Sequence, residues 1–172
     1  RIFSSEYSTS YQEQAYIEPQ GFIAYMEDGD KTTLIGSIQC PYYVKNAVLQ
    51  ALGCEDNKVR VIQAAVGGAF GGKEEFPSLM ACQLAVAVNK VKKPIQMIYE
   101  REEDMLVTTK RHPSKTSFKA SVIDGKIKAL QVNVGIDAGA TIGLSGVVLS
   151  RALIACTGVY SIDNLSVSGD VF

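Results

Sequence analysis

The apolar positions along the chain fall into short, well-punctuated runs. FIAYM (22–26) and TTLIGSI (32–38) flank EDGDK, and two apolar runs around an Asp-Gly pair predict a β-hairpin. Pro41 stands at the favoured first position of a helix, and Val44, Ala47, Val48, Ala51 and Leu52 recur on one helical face before Gly53. KVRVIQAAV (58–66) reads as the next strand, which completes a β-β-α-β unit. FPSLMACQLAVAVNK (76–90) is apolar on all sides, so the pattern predicts a buried helix that ends before Pro94. PIQMIYE then reads as a strand and REEDML as a short acidic helical turn.

KTSFKASV and KIKALQVNVGI bracket Asp124-Gly125, the second hairpin signal. In the later strand Ile127 and Ala129 share one face, whereas Leu130, Val132, Val134 and Ile136 share the other. One inserted residue produces such a change of phase, which predicts a β-bulge near Ala129–Leu130. A helix over 147–156 and a last strand in LSVSGDVF follow. RIFSSEYSTSY at the start is also strand-like. The expected architecture is α+β, two small mixed sheet-plus-helix units of β-β-α-β type. No sequence repeat or long linker interrupts it.

A length of 172 residues suits one ordinary domain, or two small α+β units sharing a core. With 47% hydrophobic and 20% charged residues and a net charge of −1, the chain carries no basic footprint for nucleic acid. Its nearest basic run, NKVKKP (89–94), sits at a helix end, where it complements the helix dipole. No apolar stretch approaches the roughly 18 residues that span a membrane. Cysteines 40, 54, 82 and 156 form no C-x-x-C and His112 is the sole histidine, which argues against a zinc site or an iron–sulfur cluster held by this chain. Buried reduced thiols of a cytoplasmic protein are expected, with Cys82 in the core. His112 is read as making a structural hydrogen bond. Glu102, Glu103 and Asp104 are read as a cluster of charge favoured at a helix N-terminus.

The chemistry concentrates in VIQAAVGGAFGGKEEF (61–76), where an apolar run meets four glycines in six positions. Gly67 to Lys73 has the G-x-x-x-x-G-K spacing of a phosphate loop, but the position that must carry a Mg²⁺-binding hydroxyl is Glu74. Two other readings are a tight strand-to-helix turn and a ligand loop whose backbone N–H groups approach a bound group closely.

VGGAFGGKEE resembles the G-G-G-F-G-G-K-E loop of the molybdenum hydroxylases, the xanthine dehydrogenase and aldehyde oxidase family. QEQAYIEPQ (12–20) is similar to that family's Q-x-x-x-x-E-P segment, and IYEREEDMLVTTKRHPSK (98–115) to its R-x-E-D-M…R-H-P stretch. The three motifs keep the family's order and spacing across nearly the whole chain. The resemblance implies part of a molybdopterin-binding domain over residues 1–172, a piece of a larger chain.

It also implies roles. Phe70 and Gly71, with Gly68 and Ala69 before them, would meet the cofactor through their backbone; Ala69 replaces the family's third glycine. Gln39 would hydrogen-bond an oxygen ligand of molybdenum, and a neutral amide donor suits that task. Glu74 would orient a purine-like heterocycle, which tilts the expected substrate towards the xanthine dehydrogenase type over an aldehyde. A carboxylate beside such a ring can accept from its N–H or, when protonated, donate to its nitrogen. The catalytic base and an A-F-R-G-F substrate motif are expected beyond Phe172. Molybdopterin in its cytosine dinucleotide form is the implied cofactor, and [2Fe–2S] clusters and FAD on other domains or subunits are the implied electron route. The isolated piece is expected to bind none of these and to be inactive. A non-catalytic scaffold that packs the loop against a partner stays open as another class of function.

Overall fold

The computed structural model describes all residues, 1–172. The elements are β1 (Ile2–Thr9), β2 (Gly21–Glu27), β3 (Lys31–Gly36), α1 (Pro41–Leu52), β4 (Val59–Gln63), α2 (Pro77–Val91), β5 (Ile95–Ile98), α3 (Arg101–Val107), β6 (Ser114–Ile123), β7 (Lys126–Ile136), α4 (Ser145–Ala155) and β8 (Asn164–Val171). They divide into two compact units, residues 13–110 and residues 1–12 with 111–172. Each unit has its own buried cluster.

The middle unit is a four-stranded sheet in the order β4-β3-β2-β5. β2 and β3 form the first hairpin, from Glu27↔Lys31 to Phe22↔Gly36, and Asp28 and Gly29 in its turn both have positive φ. After α1, β4 returns parallel to β3, and β5 runs antiparallel to β2. The alternation of β2 places Phe22 and Ala24 on the covered face, where α1 and α2 bury Val44, Val48, Met80, Leu84 and Val88 against them. Gly53 caps α1 in the left-handed region, as its place in the sequence implied. The inward stripe of α1 differs in detail: Val44 and Val48 are buried, Leu49 and Leu52 pack at the rim, and Ala51 faces outward.

α2 departs from its expected burial on all sides. Met80, Ala81, Leu84, Ala85 and Val88 are buried, whereas Leu79, Val86 and Val91 are about half exposed. The sheet can cover only one side of a helix, whatever the composition of the other side. α2 ends at Lys92, whose φ of 55° closes the helix ahead of Pro94.

The second unit repeats this topology without repeating the sequence. β6 and β7 form the hairpin, α4 follows, β8 returns parallel to β7, and β1 lies antiparallel beside β6, giving the order β1-β6-β7-β8. The pairing passes from Ser121↔Ala129 to Val122↔Ile127, so the inserted residue is Lys128. The bulge expected at Ala129–Leu130 thus exists and lies one residue earlier. Leu149 and Leu153 of α4 pack on Val132 and Val134. Here His112 Nε2 lies 2.7 Å from Ser145 Oγ at the start of α4, a structural contact. The four cysteines are half-buried thiols, Cys82 among them at the edge of the first core, where burial raises its pKa. No helix is long and apolar enough to cross a membrane.

Candidate functional site

The glycine loop belongs to the middle unit and joins β4 to α2. Its tip is a tight turn closed by Gly72 N–H donating to Ala69 O at 2.8 Å. The two central residues, Phe70 and Gly71, have φ of 51° and 90°. Both central φ values are positive in a type I′ turn, and an aromatic residue adopts the first of them only under constraint. Phe70 is nonetheless 78% exposed, and nothing lies within 4 Å of where a Gly71 side chain would begin. The turn therefore presents bare backbone and one aromatic ring outward, while Ala69 is buried beneath it and Gly68, at φ 101°, packs on Tyr16.

The stems of the loop explain that constraint. The backbone N–H of Gly67 donates to Glu18 Oε2 at 2.8 Å, and Glu18 N–H donates back to Gly67 O at 3.2 Å. At the other stem Lys73 is wholly buried. Its Nζ donates to Glu18 Oε2 at 2.6 Å and to Ser37 Oγ at 2.9 Å, and it lies 5.0 Å from the centre of the Tyr16 ring. Ser37 in turn donates to Glu18 Oε2 at 2.6 Å. Burial pushes the Glu18 carboxyl up, but hydrogen bonds from Lys73, Ser37 and Gly67 and the lysine's charge outweigh it, so its pKa sits below the usual carboxylate range. A lysine so committed cannot reach a nucleotide phosphate, and the phosphate-loop spacing is a coincidence of glycines.

A second layer backs the loop. Gln20 Nε2 donates to Gly72 O at 2.8 Å and to the Tyr16 hydroxyl at 3.0 Å. The Tyr16 hydroxyl donates to Asp104 Oδ1 at 2.5 Å, and Gln20 N–H donates to Asp104 Oδ2 at 2.6 Å. Burial, with the Asp104 carboxylate beside it, pushes the Tyr16 phenol up to about 12, so it stays a donor.

Gln39 and Glu74 sit where the loop enters α2. Lys73 N–H donates to Gln39 Oε1 at 3.1 Å and Gln39 N–H to Lys73 O at 2.8 Å. With Oε1 engaged, the Nε2 end of the exposed Gln39 is the one left to donate. Glu74, the next residue after Lys73, is half-buried, with Oε1 4.0 Å from Cys40 Sγ. The structure thus brings Gln39, Gly68, Ala69, Phe70, Gly71 and Glu74 to one loop and its base. No group of three or more His, Cys, Asp or Glu side chains is placed to hold a metal ion directly.

Glu102, Glu103 and Asp104 stand in the first turn of α3, as the sequence implied, but Asp104 has a role there that the cluster reading did not assign. Glu102 and Glu103 are exposed, whereas Asp104 has no solvent exposure. The available signal was its i, i+4 spacing from Thr108, which is also buried and donates to Asp104 O at 2.6 Å.

The chain belongs to the molybdopterin cofactor-binding domain family, whose sequence profile matches residues 1–172. Its relatives are molybdenum hydroxylases. It is 34% identical over 167 residues to the nicotinate dehydrogenase large molybdopterin subunit of Eubacterium barkeri, covering 96% of this chain and 39% of that one. It is 33% identical to the xanthine dehydrogenase of Dictyostelium discoideum (98% and 12% covered) and 36% identical to aldehyde oxidase 3 of Mus musculus (99% and 13%). The aldehyde oxidoreductase of Desulfovibrio gigas has the same fold, with a TM-score of 0.90 at 21% identity over 99% of this chain and 19% of that one. The chain spans about two fifths or less of each of these relatives.

Proposed function

We propose that the chain forms the glycine-loop wall of the molybdenum site in a hydroxylase of purine-like heterocycles, of xanthine dehydrogenase type. Phe70 and Gly71, with Gly68 and Ala69, would hold the cofactor through their backbone. Gln39 would donate to it from Nε2, and Glu74 would orient the substrate ring. The observation that carries this reading is the bond from Lys73 N–H to Gln39 Oε1, which fixes a neutral donor at the base of the loop next to a carboxylate. The residues fit the group: the turn offers open backbone, and neither Gln39 nor the turn adds a charge.

The cofactor, when bound, supplies the two-electron oxidation that hydroxylates an electron-poor carbon. On this reading the chain's part is to bind and orient, with the base that the reaction requires supplied from outside residues 1–172. The same reading takes the cofactor as the cytosine dinucleotide form. It takes the partners as the rest of the molybdenum subunit and the domains or subunits carrying [2Fe–2S] and FAD, in the cytoplasm.

An aldehyde substrate is the second reading, favoured by the 36% identity to a mouse aldehyde oxidase. The substitution Glu74→Gln in the full-length enzyme separates the two, because it keeps shape and removes charge. Loss of one charge-assisted hydrogen bond, about 1.5–3 kcal/mol, lowers kcat/KM for the heterocycle roughly 10- to 150-fold with molybdenum content intact. Unchanged heterocycle turnover would show that Glu74 does not orient the ring.

A further inference from the structure

The bonds at the stems hold the two ends of the glycine loop, and its tip between them is backed by Tyr16 and Gln20. α3 bears on that backing, because its sidedness is inverted. It buries Asp104, with Thr108 buried just after its end, and turns Met105, Leu106 and Val107 outward, with Leu106 77% exposed. Within residues 1–172, burial of apolar surface alone favours the opposite rotation of this helix. What holds it the other way is the pair of hydrogen bonds that Asp104 accepts from the Tyr16 hydroxyl and from Gln20 N–H. Both donors go on to touch the loop. A side chain begun at Gly72 would lie 2.4 Å from Tyr16 Cε1, so the ring fills the space that Gly72 leaves, and Gln20 Nε2 holds the Gly72 carbonyl.

We propose that Asp104 is a positioning residue for the Phe70–Gly71 turn. It fixes the Tyr16 ring and the Gln20 amide, against which the C-terminal half of the glycine loop is cast. The proposal rests on the cofactor-wall reading only for its functional consequence; the geometric part stands without it. It also accounts for the third family-like motif, since REEDM supplies Asp104, AYIEPQ supplies Tyr16, Glu18 and Gln20, and both serve the loop.

The test is hydrogen exchange on the full-length protein carrying Asp104→Asn or Tyr16→Phe, each alone and combined with Phe70→Asn. Tyr16→Phe keeps the ring and removes only the hydroxyl, so it carries the test if Asp104→Asn does not accumulate as folded protein. Residues 67–73 are expected to exchange about tenfold faster or more, while α2 and β3 keep their protection. Adding Phe70→Asn should restore slow exchange, because Asn-Gly is the pair a type I′ turn prefers and needs no backing. A role in general stability would not be rescued by a residue at the tip of the turn. Unchanged exchange at 67–73, an equal rise throughout the middle unit, or no rescue by Phe70→Asn overturns the proposal. Molybdenum content read on the same samples tests the cofactor-wall reading separately: a loosened loop with full molybdenum upholds the positioning role and counts against the wall.

Discussion

Lys73 Nζ lies 2.6 Å from Glu18 Oε2, and the two partners see different surroundings: the lysine side chain has no exposure, whereas the glutamate keeps 41% of its side chain open to solvent. The consequence of breaking the pair therefore depends on which partner is removed.

Glu18→Ala leaves an ammonium group in a dry site with only Ser37 Oγ and the Tyr16 ring for company. An uncompensated buried charge costs about 3–5 kcal/mol, and the partial exposure of Glu18 lowers the expectation to about 2–3 kcal/mol. Lys73→Met keeps the volume and removes the charge, and Glu18 retains Ser37, Gly67 N–H and water. Its cost should be about 1 kcal/mol. Denaturant unfolding of the full-length protein measures both, and equal losses would mean that the burial asymmetry has no energetic weight.

The same pair sets an acid limit. A carboxyl whose folded pKa is depressed contributes stability that is full above its unfolded value and disappears as pH falls through the folded one. Glu18 is lowered from 4.5, and so is Glu13, where burial opposes the bonds from Lys110 and Ala15 N–H and loses to them. Wild type and Glu18→Gln should thus differ in Tm at neutral pH and converge on acidification below pH 4.5. Thermal melts between neutral pH and pH 3 check this, and a gap that widens towards acid would reverse the assigned sign.

Much of this fold was legible because local signals agreed with the tertiary outcome. Asp28-Gly29, Asp124-Gly125, Pro41 and Gly53 each demand one backbone geometry, and each has it. The bulge was visible as a change of phase, displaced by one position because Lys128 is polar and marks neither face. What escaped was sidedness. The apolar content of α2 gives no hint that Leu79 and Val86 lie outward, and in α3 the apolar residues point out and the acid in. The inversion of α3 follows from hydrogen bonds between residues 84 or 88 positions apart, which no periodicity encodes, and the outward residues of α2 from a sheet that covers one side only. Motifs pointed to Gln39, Phe70, Gly71 and Glu74 as proposed site residues, whereas the packing of Lys73, Ser37 and Asp104 around the loop follows from long-range contacts that no motif shows. Lys73 even carried a misleading signal, since its spacing from Gly67 matches a phosphate loop.

That spacing gives a clean negative expectation. Lys73 is committed to Glu18 and Ser37, and Glu74 stands where a Mg²⁺-binding hydroxyl is required. Calorimetry should detect no Mg²⁺-dependent ATP binding at micromolar affinity. A saturable heat that depends on Mg²⁺ would refute the structural assignment of Lys73.

Two glycines of the loop should respond differently to alanine. Gly71→Ala meets no neighbour but must adopt a φ of 90°, a conformational cost of about 1 kcal/mol. Gly72→Ala has no such φ problem and instead drives a methyl group to 2.4 Å from Tyr16 Cε1 and 3.1 Å from Ala69 O. The ring must shift, which strains its bond to Asp104, so a loss of about 1–3 kcal/mol is expected. Unfolding midpoints should rank Gly72→Ala below Gly71→Ala, and near-ultraviolet circular dichroism should report the displaced tyrosine in Gly72→Ala alone.

Gln39 allows its two ends to be tested apart. Gln39→Glu preserves an acceptor for Lys73 N–H, so the base of the loop should hold and stability should stay within about 0.5 kcal/mol of wild type. The same change abolishes the Nε2 donor and adds a negative charge at the position proposed to face the cofactor. A contact with the cofactor and not with the substrate, as proposed, means that the full-length enzyme should lose turnover of every substrate by a similar factor, about tenfold or more. The ratio of heterocycle to aldehyde rates should stay constant, whereas Glu74→Gln should change it. Steady-state rates on one substrate of each class, with molybdenum measured on the same preparations, decide the matter. A rate ratio altered by Gln39→Glu would place the amide against the substrate, and unaltered rates would remove Gln39 from the site altogether.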